Sequence, residues 1–266
     1  MGRPQGPDGG QSMETAYLAA LGIIGLLGLS TLGATLRQAG PYGRHMTAGQ
    51  TGTMPARAAW LLFESPQWFA FALTFWLVAP PEAGPSSVML FLFGLWQAHY
   101  FYRGLIYPLR MRDRHKSFPI VAVCFGFVFN LCNGFANAYA VGHAAHLMDT
   151  AWLGDPRFIV GLAVAAFGWV VNFQADNILL SLRGDGFTGY RIPHGGAFRW
   201  VSSANYFGEI VFWWGWAIMS WTPAGLVFAL FSMANLMPRA VAHHRWYRTR
   251  FPDYPKNRRA VIPHLL

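Results

Sequence analysis

The stretch Asn172–Glu209 reads NFQADNILLSLRGDGFTGYRIPHGGAFRWVSSANYFGE, and it decides the fold. Long apolar runs lie on both sides, so its polar residues interrupt hydrophobic helices instead of coating a soluble surface. Asn172, Asp176 and Arg183 are four and seven residues apart, which puts all three on one face of a continuous helix. Asn205 and Glu209 repeat the four-residue step on the next segment. The loop between carries Tyr190, Arg191, Gly195 and Gly196. Two polar helix faces joined by a Gly- and Arg-rich loop make the walls and lid of a site for an anionic ligand.

Outward from this stretch the chain is apolar. Of its 266 residues 54% are hydrophobic and 12% charged, about half the charge of an ordinary soluble domain. Segments near the roughly 20 residues that span a bilayer recur, which predicts an all-α, polytopic membrane bundle. Seven transmembrane helices are expected, at about 15–36, 58–78, 86–109, 118–142, 158–182, 203–221 and 224–246. Basic residues concentrate in alternate connections: Arg37, Arg44 and Arg57; Arg110, Arg112, Arg114 and Lys116; Arg183, Arg191 and Arg199; and the tail from Arg239. That alternation predicts an N-terminus outside and a C-terminus in the cytoplasm. Residues 1–13 read as a flexible tail, 14–117 as the first three helices with substrate anchors, and 118–266 as the remaining helices with a cofactor-binding C-terminal region.

The net charge of +9 fits cytoplasmic loops and anionic headgroups, and no nucleic-acid partner is expected. Cys124 and Cys132 share one apolar segment, which argues against a disulfide framework or a zinc site. His143, His146 and Asp149 have metal-like spacing but fall in an outer loop, where solvated side chains are the expectation. There is no G-x-G-x-x-G after a strand and no Walker sequence. A nucleotide would have to be held by the membrane helices and their loops.

Three further groups stand out. Glu64, in WLLFESPQW, is a carboxylate at membrane depth and belongs in the bundle interior. It reads either as a structural acid or as a proton donor or substrate anchor. In HYFYRGLIY, Tyr100, Arg103 and Tyr107 share a helical face, and Tyr100 reads equally as an interface anchor or a site residue. Beyond the last span, Arg239, His243 and Tyr247 follow at four-residue steps. The punctuation FPDYPKNRR after them suggests a tail folded against the loops, with arginines and tyrosines to clasp phosphates and an adenine ring.

These motifs together resemble the steroid 5-alpha-reductase family (3-oxo-5-alpha-steroid 4-dehydrogenases). The resemblance rests on N-x-x-x-D at Asn172 and Asp176, Leu182-Arg183, Y-R-I-P-x-G-G at Tyr190–Gly196, and A-N-x-x-G-E at Ala204–Glu209. It continues in H-H-R-x-Y at His243–Tyr247 and D-Y-P-K-x-R at Asp253–Arg258, with Glu64-x-Pro66 and H-Y-F-x-R at His99–Arg103 upstream. It implies NADPH-dependent reduction of the 4,5 double bond of a 3-oxo-Δ4 steroid. Glu64 and Tyr100 would be the catalytic pair on the 3-keto oxygen. Asn172 and Glu209 would fix the nicotinamide amide. Asp176, Arg183, Tyr190, Arg191, Asn205, Arg239, His243, Tyr247 and Arg258, with Arg114, would hold ribose and phosphates. No metal is implied.

Two positions depart from the family pattern. Phe63 stands where a glutamine often precedes the glutamate, which removes a polar neighbour of the substrate anchor. Leu180 replaces an arginine and removes one cationic contact to the cofactor. The steroid would enter from the bilayer between helices of a monomer, in a bacterial cytoplasmic membrane or, in a eukaryote, the endoplasmic reticulum. Alternatives are a reductase of another lipid enone or enoyl substrate, a membrane methyltransferase of related fold using S-adenosylmethionine, and a non-enzymatic sterol-binding protein.

Overall fold

Two short strands ending in proline set the direction of two helices. β1 (Thr53–Pro55) pairs antiparallel with β2 (Ser117–Pro119), with Met54 opposite Phe118. Proline at the end of each strand lacks the N–H a ladder would use, and it is tolerated at a helix start, where N–H groups have no intrahelical partner. The chain therefore turns directly into α2 (Ala56–Val78) and α5 (Ile120–His143), which leave the ribbon side by side. Gly126, Gly134 and Gly142 line the face of α5 toward α2, where an added Cβ would collide with Phe63, the Gln67 carbonyl and Val78. Between them, Asn130 donates to the Phe63 carbonyl. The structure, a computed structural model, describes residues 7–37, 51–80, 82–111, 117–182 and 189–266.

α3 (Ser87–Phe101) starts at Ser86, whose hydroxyl accepts from Met89 N at 3.1 Å. It runs on through a π-helical turn, Tyr102–Ile106, into α4 (Tyr107–Arg110). Pro108 bears on this turn. Tyr107 N–H bonds back five residues to the Tyr102 carbonyl, and Pro108 has no N–H to offer the next one, that of Arg103. The freed Arg103 carbonyl accepts from the Trp60 indole of α2 at 3.2 Å. Widened turns of this kind concentrate at functional sites.

α7 (Pro156–Ser181) and α8 (Ala204–Ser220) form the closest helix pair. Gly161, Ala165, Gly168 and Asn172 follow at alternating four- and three-residue steps on α7 and meet Met219, Gly215, Phe212 and Gly208 of α8. A Cβ on Gly161, Gly168, Gly208 or Gly215 would overlap backbone atoms of the opposite helix. Small residues at such an interface let the backbones approach as membrane helices require. This approach brings Asn172 against the first turns of α8.

α1 (Pro7–Arg37) packs on α5 and on α9 (Pro223–Arg250). It begins inside the stretch expected to be a tail. At the opposite end from the ribbon, α6 (Ala145–Met148) and a 3-10 turn, Thr150–Gly154, lead to Asp155, which caps α7 through Arg157 N at 2.8 Å. The Arg157 guanidinium also bonds the Asp155 carboxylate at 2.9 Å and holds its pKa down at about 2. His143 and His146 meet separate carbonyls, those of Tyr139 and Ser220.

The core is aromatic. Phe71 stacks on Trp96 at 4.5 Å, and Trp213 and Trp216 pack against Trp96 at 5.4 and 4.9 Å. Large apolar side chains such as Leu26, Leu73, Phe125 and Phe167 point outward. Among the described residues, α1, α2, α5, α7 and α9 are long and apolar enough to cross a membrane. The other two expected spans correspond to α3, 15 residues before the π turn, and α8, 17 residues. Many residues of both are buried among the longer helices.

Candidate active site

Arg103 is the centre of a buried ionic cluster. It lies in the π turn, three residues after Tyr100, with 13% of its side chain exposed. Its Nη1 is 3.1 Å from Asp176 Oδ2, its Nη2 3.7 Å from Glu64 Oε1 and its Nε 3.9 Å from Glu209 Oε2. Trp60 and Tyr107 flank the guanidinium, with ring centroids 5.3 and 5.2 Å away. One cation thus gathers acidic side chains from α2, α7 and α8. Charges out of water persist only when paired and hydrogen-bonded, and a planar fork with five donors can serve several acceptors at once.

Glu209 is the most heavily bonded of the three acids. Its Oε2 accepts from Asn172 Nδ2 at 3.0 Å, and its Oε1 from the Trp213 indole at 2.9 Å, with His99 Nε2 at 3.6 Å. Asn172 Nδ2 also donates to the Asn205 carbonyl at 2.9 Å. The glycine-lined approach of α7 to α8 makes these bonds possible, since a side chain at Gly208 would displace Asn172. Asp176 is 1% exposed, and its second oxygen, Oδ1, has no hydrogen-bond partner among the described residues.

Glu64 and Tyr100 face the same cluster. Glu64 reaches it through Arg103. Tyr100 is buried, lies 5.7 Å from Trp213 ring to ring, and accepts at its hydroxyl from Gln67 Nε2 at 2.7 Å. Gln67 is three residues beyond Glu64 on α2, as Arg103 in the π turn is three beyond Tyr100 at the end of α3, so the two facing helix edges match.

The C-terminal tail folds onto the start of α8. Ser202 N donates to the Arg259 carbonyl at 2.8 Å and Ser203 N to that of Ala260 at 3.1 Å. Ser202 Oγ meets His244 Nδ1 at 2.6 Å and accepts from the Tyr254 hydroxyl at 2.7 Å. Tyr247 stacks on Tyr254 at 5.2 Å, and Arg258 lies over Tyr254 at 5.3 Å. Arg258 is 4% exposed, and its Nε and Nη1 are buried without a hydrogen-bond partner among the described residues, as is Ser203 Oγ. Unpaired buried donors are rare in a finished fold, and Ser203 is the N-cap residue of α8, two residues before Asn205.

The sequence-predicted residues therefore fall in two adjoining groups. Glu64, Asp176 and Glu209 reach Arg103 directly, Asn172 and Asn205 join it through Glu209, and Tyr100 lies beside Trp213, which bonds Glu209. Tyr247 and Arg258 belong to the tail clasp. His243 packs against Tyr206 at 5.4 Å, with Arg239 one turn before it on α9, and Tyr190 packs against Trp246 at 5.0 Å. Arg191 is exposed. Arg114 and Arg183 lie outside the described residues. Leu180 is buried as an ordinary apolar side chain. Sequence reasoning noted His99 and Arg103 without giving either a role, and passed over Gln67 and Trp213. For Arg103 the signal was present, an arginine on the face of Tyr100 within an apolar segment.

The protein-family model described as 3-oxo-5-alpha-steroid 4-dehydrogenase matches residues 116–266. The bovine 3-oxo-5-alpha-steroid 4-dehydrogenase 1 is 38% identical over 94% of this chain and 95% of its own. The human protein of that name is 38% identical over 95% of this chain and 96% of its own. Steroid 5-alpha-reductase DET2 of Solanum lycopersicum is 42% identical over 85% of this chain and 87% of its own. The chain belongs to the steroid 5-alpha-reductase family of oxidoreductases, which act on CH–CH bonds.

Proposed function

We propose that this protein reduces the 4,5 double bond of 3-oxo-Δ4 steroids with NADPH. The observation that carries the reading is the convergence of Glu64 and Tyr100 on the Arg103 cluster that also holds Asn172 and Glu209. A substrate oxygen and a nicotinamide would then meet in one dry site. The donor set fits the cofactor: Arg258 and Ser203 offer buried, unpaired donors suited to phosphate oxygens, and Asp176 offers an unpaired acceptor suited to a ribose hydroxyl.

NADPH supplies the hydride when bound. The protein's task is to receive the charge that addition to carbon 5 pushes onto the 3-oxygen. Tyr100 donates its hydroxyl hydrogen to that oxygen, and Glu64, as the protonated acid, donates a second. A proton from solvent then completes carbon 4, giving the saturated ketone. A tyrosine paired with a protonated carboxylic acid serves a steroid oxygen in ketosteroid isomerase, on an unrelated fold. Asn172 and Glu209, already bonded to each other, orient the nicotinamide amide. Asp176, Asn205, Tyr190, Arg191, Arg239, His243, Tyr247 and Arg258, with Arg114 and Arg183, hold the rest of the dinucleotide.

The remaining features follow. α3 and α8 complete seven spans, with the N-terminus outside and the ribbon, loops and tail in the cytoplasm, as the basic connections direct. The apolar steroid arrives from the bilayer, and the protein works as a monomer. The test is turnover of testosterone or progesterone by detergent-purified protein with NADPH. Gain of two hydrogens in step with NADPH consumption supports the reading, and no product with no nucleotide binding overturns it.

A further inference from the structure

Gln67 is a buried polar residue that the reaction above leaves unused. It has no exposed surface. Its backbone carbonyl accepts from the Trp96 indole at 3.3 Å, so the residue is fixed within the aromatic core. Its side chain donates from Nε2 to the Tyr100 hydroxyl at 2.7 Å, while Oε1 is buried with no hydrogen-bond partner among the described residues. A methionine or leucine would fill the same space without stranding a carbonyl, so packing alone does not account for an amide here.

The polarity of this bond matters. A phenol oxygen carries one hydrogen and accepts through its lone pairs. Since the Tyr100 oxygen accepts from Gln67, its own hydrogen must point away from the amide. A bond accepted by an oxygen also strengthens that oxygen's O–H as a donor. We infer that Gln67 is a positioning residue for the reduction: it holds the Tyr100 hydroxyl as an acceptor on the α2 side, so that its hydrogen is presented to the substrate oxygen. The inference rests on the function proposed above, and Gln67 itself does not touch the reacting atoms. Its value lies in preorganisation, because a hydroxyl already aimed need not reorient as charge develops.

Two measurements test this. The first is the infrared C–O stretch of Tyr100 in protein with labelled tyrosine, assigned by its loss in Tyr100→Phe. It shifts in Gln67→Met if the amide bond exists, and an unchanged band overturns the inference. The second is a double-mutant cycle on steroid turnover. Gln67→Met is expected to lower kcat about ten-fold with little change in either KM, well short of the roughly 10²–10³ for removing the Tyr100 donor itself. The loss should vanish in the Tyr100→Phe background. Gln67→Glu should cost more, because a carboxylate takes the Tyr100 hydrogen for itself. Equal losses with and without Tyr100 would show a merely structural role and overturn the inference. A wild type that reduces no 3-oxo-Δ4 steroid, with the band shift intact, overturns the proposed function and leaves the Gln67–Tyr100 contact standing.

Discussion

Arg103 Nη1 lies 3.1 Å from Asp176 Oδ2, which ties the π turn after α3 to the middle of the polar face of α7. Glu64 and Glu209 approach the same guanidinium from α2 and α8. Four helices are thereby held in register by one side chain, at the point where the proposed substrate and cofactor meet.

Replacing Arg103 should therefore damage the fold as well as the reaction. Arg103→Met strands the buried carboxylates of Asp176 and Glu209, and removing one partner of a buried pair costs about 3–5 kcal/mol. Arg103→Lys keeps the charge but cannot fork, and should fall between. Thermal unfolding in detergent checks both, and an unchanged melting temperature in Arg103→Met would contradict the account.

Glu64 is expected to act through a donated hydrogen. Glu64→Gln keeps an N–H donor at that position and should retain some activity. Glu64→Ala should lose on the order of 10²–10³ in kcat. Initial rates at saturating NADPH distinguish the two, and equal turnover in wild type and Glu64→Ala removes the role.

Much of this arrangement was legible in the sequence. The four-residue steps Asn172–Asp176 and Asn205–Glu209 place polar groups on facing helices, and the structure joins them directly through Asn172 and Glu209. The aromatic and proline punctuation of the tail foretold a defined fold, now seen in the Tyr254–Ser202–His244 contacts. The π turn was not legible, because its i to i+5 bond has no residue signature beyond the proline that follows. The β1–β2 ribbon was missed for a similar reason, as two three-residue strands carry too few positions to show a period. Arg103 was visible, but an arginine near a helix end reads first as an interface anchor.

The α7–α8 interface gives a prediction that rests on backbone packing. A Cβ at Gly208 would strike the backbone of Asn172, which cannot swing aside as a flexible side chain could. Gly208→Ala should destabilise the protein by about 1–3 kcal/mol through overpacking. It should also raise the KM for NADPH, since Asn172 moves with the backbone. Thermal unfolding and nucleotide kinetics on one preparation check both effects.

The tail clasp gives another. Arg258 has two buried donor nitrogens with no partner among the described residues, and a hydrogen bond to a charged group contributes about 1.5–3 kcal/mol. Arg258→Leu should raise the KM for NADPH by roughly ten-fold or more while kcat and the KM for steroid stay near wild type. A change confined to steroid KM would place Arg258 outside the cofactor site.

The central claim is that a hydride reaches carbon 5 of an enone whose oxygen is held by Glu64 and Tyr100. The most direct measurement is the fate of deuterium from NADPH labelled at carbon 4 of the nicotinamide, with progesterone or testosterone as substrate and the product examined by mass and NMR. The account predicts one deuterium at carbon 5, on the alpha face, and none at carbon 4. Deuterium at carbon 3, as in reduction of the ketone, or an unlabelled product would contradict it.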